Sequence, residues 1–191
     1  GGAYGPSFLI PPYFLYGSDI TNKINLDILS VASDLKFDVP LYPMLFLRRA
    51  DLQGSSFPLI LKKIQKFKFD GYCLWIDNFR ESRVENELEV RSLINLIKEL
   101  SENQQKDIIM MFGGYFSMLL YHFGLTGICH GTLFSESRGA MDSVKKTSGP
   151  APVRYYIRKL HDFFTLDSAL EILKKDNSLL CDCNVCKRIV R

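Results

Sequence analysis

No stretch of this 191-residue chain carries the roughly 18 uninterrupted apolar residues that a membrane-spanning helix needs. The richest run, Ile108 to Phe123, is broken by Gly113, Gly114, Ser117 and His122, so no transmembrane helix is expected. The opening residues also lack the basic region and small-residue cleavage site of a secretory signal. Gly1-Gly2 without a methionine reads as a processing boundary, and the natural chain is expected to begin earlier. A large excess of one charge is missing too: 24 Lys/Arg against 21 Asp/Glu leave +3, which by itself selects no partner. Cysteine is scarce, with five in all and three of them between positions 181 and 186. That odd, crowded set excludes a ladder of disulfides stapling a small secreted fold and points to a reducing, cytoplasmic compartment.

What is present suits a folded domain, since 47% hydrophobic residues in a chain of this length supply a sizeable core. Charge is unevenly spread: from Arg138 to Arg191 there are 11 Lys/Arg against 6 Asp/Glu, so this third is basic while the remainder is slightly acidic. Such a tail could face phosphates, or it could be the solvated face of surface helices.

The hydrophobic pattern alternates between two periods. Phe8 to Tyr16 is an apolar, aromatic run that reads as a strand, and Asn22 to Leu35 then spaces Ile24, Ile28, Leu29 and Ala32 as a helix does. Val39 to Leu47 reads as a strand. A helix starting at Ser55-Ser56-Pro58 follows, with Leu59, Ile60, Ile64 and Phe67 on its inner side. Tyr72 to Ile76 is a third strand, Val84 to Leu100 a long amphipathic helix, Asp107 to Phe112 a fourth strand, Tyr115 to Phe123 a short helix, and Leu125 to Leu133 a fifth strand. Strands that alternate with helices and are apolar along their length predict parallel pairing with coverage on both faces.

The expected fold class is therefore α/β. A parallel (β/α) barrel of TIM type, present as its later units, is preferred over an open doubly wound sheet because of the repeat count. Barrel-like units are placed over 1–150. Within them Ser135 to Pro152 reads as a loop, and a C-terminal segment over 151–191 carries a helix at Leu166 to Lys175, capped near Thr165.

Cys181-Asp182-Cys183-Asn184-Val185-Cys186 places three thiols in one tight reversal, where zinc could collect them as thiolates, favoured by Lys187, Arg188 and Arg191. Unbound thiols, a local disulfide or an iron–sulfur cluster are the alternatives. His161 is the first candidate for a fourth ligand. Asp77 stands at the C-terminal end of an apolar strand, where barrel enzymes carry catalytic groups, and Asp51 holds the matching place one unit earlier. Either could be a nucleophile or general base, or a carboxylate satisfied by backbone N–H groups. His130, at the working end of the last barrel strand, is a base or a core histidine. Gly113-Gly114 could let a base or phosphate approach the backbone, or could simply be a turn. Arg138, Lys145, Lys146, Arg154, Arg158 and Lys159, interleaved with Tyr155 and Tyr156, suit a phosphate backbone and unstacked bases, unless the tyrosines are core.

The ending Leu180-Cys181-Asp182-Cys183-Asn184-Val185-Cys186-Lys187-Arg188 resembles the Cys-x-Cys-x-x-Cys zinc site of tRNA-guanine transglycosylases, which are eight-stranded α/β barrels. The resemblance covers the last third of the chain by motif and the preceding units by rhythm. It implies bound Zn2+, a tRNA or DNA partner, exchange of guanine for a 7-deazaguanine base through an aspartate nucleophile, and a homodimer. The family's aspartate would fall near Ile128-Cys129-His130, where this chain has none. Asp77 is the candidate in its place. Two rival readings stay open: a non-catalytic nucleic-acid or protein-binding module on a degenerate barrel, and a metal-dependent barrel hydrolase using His130 with a carboxylate.

Overall fold

A computed structural model describes residues 5–54, 56–79, 81, 86–102, 105–129, 139, 153–160 and 162–183. The chain divides into two compact units, Gly1–Ser143 and Val144–Arg191.

In the first unit the elements follow the alternating pattern: α1 (Asp19–Asp34), β1 (Met44–Arg48), α2 (Ser56–Ile64), β2 (Gly71–Asp77), α3 (Glu87–Glu102), β3 (Asp107–Met111), α4 (Tyr115–Leu119) and β4 (Gly127–Cys129). The four strands form one sheet in the order β1-β2-β3-β4, every neighbouring pair parallel. A doubly wound sheet would reverse its strand order at a switch point. This sheet runs in chain order.

The expected first strand is reduced to one parallel bridge, Leu9 with Leu41, bonded through Leu9 N–H to Pro40 O (2.9 Å) and Tyr42 N–H to Leu9 O (2.9 Å). Pro11 and Pro12 end it, because neither has an N–H to continue a ladder. The chain then turns into α1, whose start is held by a reciprocal cap: Thr21 N–H donates to Ser18 Oγ (3.1 Å) and Ser18 N–H to Thr21 Oγ1 (3.3 Å).

Alternation along each strand sorts its side chains onto two faces. Leu45, Leu47, Tyr72, Leu74, Ile76, Ile108 and Met110 form one core with Leu29 of α1, Phe57, Leu61 and Ile64 of α2, and Leu93, Ile97 and Leu100 of α3. On the other face Tyr42, Met44, Phe46 and Cys73 pack with Phe8, Ile10, Leu15, Trp75, Ile109 and Met111. Among the described residues the helices pack on the first face, while the segment before α1 covers part of the second.

Two inner-side expectations need correction. Leu59 is 63% exposed, and Phe57 and Leu61 take the buried stripe of α2 with Ile64. Ile24 is also exposed, its place in the core of α1 taken by Asn25, which is 2% exposed. This buried amide is satisfied by the backbone of Phe14: Phe14 N–H donates to Asn25 Oδ1 (2.8 Å) and Asn25 Nδ2 donates to Phe14 O (2.9 Å). Asn25 thus pins residues 8–15 to α1, a role that no hydrophobic period reveals. Among the described residues, no helix is long and apolar enough to cross a membrane.

The second unit is an antiparallel hairpin, β5 (Arg154–Ile157) and β6 (Asp162–Thr165), followed by α5 (Leu166–Lys175). Thr165 caps α5 as expected, accepting from Ser168 N–H at 3.3 Å. Ile157, Ala169 and Leu173 make its core, with Tyr155, Phe164, Ile172, Leu179 and Leu180 packed around them. The hairpin was unforeseen, since Asp162-Phe-Phe-Thr165 is too short to show a period.

Candidate active site at the C-terminal edge of the sheet

Parallel strands deliver their C-terminal ends to one edge, where Arg48 pairs with Asp77 across β1 and β2, and Met111 pairs with Cys129 across β3 and β4. Asp77 is half-buried and, two residues beyond Trp75, belongs to the face that the helices leave uncovered. Below it runs a ladder of aromatic rings. Phe46 and Trp75 stack at 3.9 Å with a 20° interplanar angle, Phe112 tilts against Trp75 at 5.1 Å, and Tyr13 meets Phe46 and Trp75 edge-on at 6.2 and 6.3 Å. Asn25 contributes indirectly, because the residue it clamps, Phe14, is the neighbour of Tyr13.

The backbone at this edge is strained at two adjacent strand ends. Asn78, immediately after β2, and Phe112, immediately after β3, adopt φ of 53° and 58°. Asparagine tolerates the left-handed region, but an aromatic residue held there costs on the order of 1–3 kcal/mol that the surrounding packing must offset. Gly139 lies against the Asn78 amide: a β-carbon on Gly139 would come within 2.7 Å of Asn78 Oδ1. The chain beyond β4 therefore returns to the end of β2.

Asp51 is placed differently from the expectation of a catalytic group. Both its oxygens are taken by Arg48, with Arg48 Nε donating to Oδ2 (2.8 Å), Arg48 Nη2 to Oδ1 (2.7 Å) and Arg48 N–H to Oδ2 (3.1 Å). A carboxylate bound this way is a fixed counter-charge and a poor nucleophile. Its effect is on Arg48, whose guanidinium is held above its ordinary pKa by the Asp51 hydrogen bonds and charge. The neighbouring Arg49 reaches Glu89 with Nε (3.1 Å) and Nη2 (2.7 Å), fastening the loop after β1 to α3.

Gly113 and Gly114 are both buried, and Gly113 is used by the protein itself. Its N–H donates to Cys129 O (3.2 Å), and a β-carbon there would lie 2.7 Å from Ser117 Oγ. The close approach expected for a ligand is occupied by the turn into α4. Glu81, which the sequence does not single out, accepts from Ser117 N–H (3.1 Å) and from the Ser117 hydroxyl, joining the loop after β2 to the start of α4. Cys73 sits deep under the ladder, where burial first and the neighbouring Cys129 second push its thiol up to about 11. It stays protonated and unreactive at neutral pH. His130 and Arg138 lie outside the described residues.

In the second unit, Cys181 is half-buried and Cys183 exposed, and Cys183 N–H donates to Cys181 Sγ at 3.5 Å. Both line a cleft of about 530 Å³ with Arg158, Lys159 and Asp182. Lys159 Nζ is bonded to Ser178 O, which ties the hairpin turn to the segment leading into the cysteines. Cys186 and His161 lie outside the described residues, and among those described no three His, Cys, Asp or Glu side chains gather around a metal-sized space. Tyr155 is turned inward beside Ile157, so Tyr156 presents its ring outward in its stead. No protein-family model, no curated protein and no solved structure matches this chain.

Proposed function

We propose that the chain is a transglycosylase-like protein that exchanges guanine or a 7-deazaguanine base in tRNA, on a sheet belonging to a parallel (β/α) barrel. The observation that carries this is Asp77 at the C-terminal end of β2, directly above the Phe46–Trp75–Phe112 ladder. A flat heterocycle released from its stack can lie on the rings while a carboxylate addresses the sugar beside it.

In the exchange, an Asp77 oxygen bonds to C1′ as the C1′–N bond breaks, and the departing base takes that electron pair and a proton from solvent. The incoming base then gives up its ring N–H proton to solvent, attacks C1′ through that nitrogen and expels the carboxylate, which restores Asp77. Arg48, paired with Asp77 across β1 and β2 and with its guanidinium fixed by Asp51, supplies a hydrogen-bond donor for the flanking phosphate. The barrel reading is supported by strands in chain order with helices on one face, as one wall of a barrel has them.

The cysteines fit a zinc knuckle in donor chemistry: Cys183 N–H donates to the sulfur two residues earlier, a contact of the kind that orients a ligand sulfur. Cys181, Cys183 and Cys186 with His161 would hold Zn2+, which would secure the local fold, and a reducing cytoplasm would keep those thiols available.

The test is incorporation of radiolabelled guanine into bulk tRNA. Asp77→Asn should abolish it, while Asp51→Asn should weaken it through loss of Arg48 placement. Exchange that survives Asp77→Asn overturns the assignment, and tRNA binding with no turnover in the parent protein establishes the non-catalytic module instead.

A further inference from the structure

The hairpin of the second unit has one face packed and one face outward. Inward, Tyr155, Ile157 and Phe164 meet Ala169 and Leu173 of α5. Outward, strand alternation places Arg154 and Tyr156 on β5, with Arg158 following at the turn, and Phe163 and Thr165 opposite them on β6. Arg154 and Arg158 are exposed, Tyr156 is 39% exposed, and its ring leans on Phe163 at 4.8 Å. Asp162, the acid of β6, pairs with Ile157 and so belongs to the inward side, where its Oδ1 accepts from Phe163 N–H (2.7 Å). The outward face is basic and aromatic, with no acidic residue among the described outward positions of the two strands.

We infer that this face binds an unpaired RNA strand, with one base stacked on Tyr156 and the phosphates to either side of it on Arg154 and Arg158. The spacing suits that occupant. Tyr156 lies two residues from Arg154 on β5 and two from Arg158 at the turn, so the ring has a cationic residue on each side of it in the chain. A duplex would offer phosphates but no open base for Tyr156, so the ring selects an unpaired strand over a paired one. The sequence from Val144 to Arg191 is basic as a whole, with 10 Lys/Arg against 5 Asp/Glu. The inference rests on the nucleic-acid partner of the proposed function and deepens it with a place and a strand form.

The experiment is fluorescence anisotropy of the full chain with a labelled 12-nucleotide oligouridine and with a 12-base-pair RNA duplex, repeated across a salt series. The parent should bind the single strand at least 10-fold more tightly than the duplex. Tyr156→Ala should weaken single-strand binding about 10-fold while Tyr156→Phe retains it, and this rescue separates stacking from a folding defect. Arg154→Gln with Arg158→Gln should lower the steepness of the salt dependence by about two phosphate contacts. Unchanged affinity in both Tyr156→Ala and the double arginine variant overturns the inference, as does equal or tighter binding of the duplex. Loss in the arginine variant alone reduces the face to a charge patch and also overturns it. Base exchange is assayed separately on the parent, so retained single-strand preference without exchange sinks the proposed function alone, and exchange without that preference sinks this face alone.

Discussion

The two faces of the parallel sheet come from the same strands, yet they are built for different ends. On the face toward the helices, Leu45, Leu47, Leu74, Ile76, Ile108 and Met110 are aliphatic or thioether side chains no more than 2% exposed, interlocked with α1, α2 and α3. On the opposite face the strands contribute Phe46, Cys73, Trp75, Ile109 and Met111, of which Trp75, Ile109 and Met111 remain half-buried. Aliphatic side chains interdigitate at high density, which favours a face whose only task is cohesion. Flat rings keep their shape when partly exposed and offer a surface to another flat group, which favours a face that meets a ligand. Stability and candidate chemistry are thus separated by the two-residue period of a strand.

The sharpest way to break that contrast lies in two consecutive residues of β3. Ile108→Ala should cost about 2–5 kcal/mol, because it opens a cavity in a fully packed region, whereas Ile109→Ala should cost less than half as much. Denaturant midpoints of the two variants measure this directly, and equal losses would mean that both faces are ordinary core. A smaller effect is expected where the second face is anchored. Asn25→Leu removes both part-buried bonds to the Phe14 backbone, at about 1–3 kcal/mol. It should also release Tyr13 from Phe46 and Trp75, visible as a change in tryptophan fluorescence; an unaltered spectrum would show that Asn25 does not position the ladder.

The gentlest probe is pH, and again neighbouring residues report on opposite faces. Burial raises Tyr72, on the helix side, from 10.0 to about 12, and burial with Cys129 raises Cys73, on the aromatic side, from 9.0 to about 11. Each group holds its proton more tightly folded than unfolded, so on alkalinisation the unfolded chain loses protons first and stability falls. The decline should begin near pH 9 for Cys73 and near pH 10 for Tyr72, ending near 11 and 12. Cys73→Ala should remove the earlier part and Tyr72→Phe the later part in denaturation curves taken between pH 8 and 12. A decline that keeps its onset in Cys73→Ala would place its origin elsewhere.

Much of this architecture was legible because local rules and tertiary packing agree. The 3.6-residue period of α3, the apolar runs of β1 to β3 and the Thr165 cap of α5 each carry their own signal. They bounded the elements to within a few residues and implied parallel pairing. The Cys181–Cys186 spacing and the strand-end position of Asp77 were equally visible, since both are facts of sequence distance.

What the sequence by itself determined is therefore the α/β alternation, the parallel sheet and the list of residues able to do chemistry. Which of them meet was decided only in three dimensions. Arg48 takes Asp51 from the candidate site, Ser117 fills the space beside Gly113, and the hairpin's alternation sends Tyr155 inward and Tyr156 outward. The ladder of Tyr13, Phe46, Trp75 and Phe112 draws on the segment before α1, on β1 and β2 and on the residue after β3, from ends 99 positions apart, a proximity that exists only once parallel strands align. The physical reason is the same in each case. Periodicity reports how a segment faces its own core, whereas contacts between segments depend on strand register and on which polar groups burial obliges to pair.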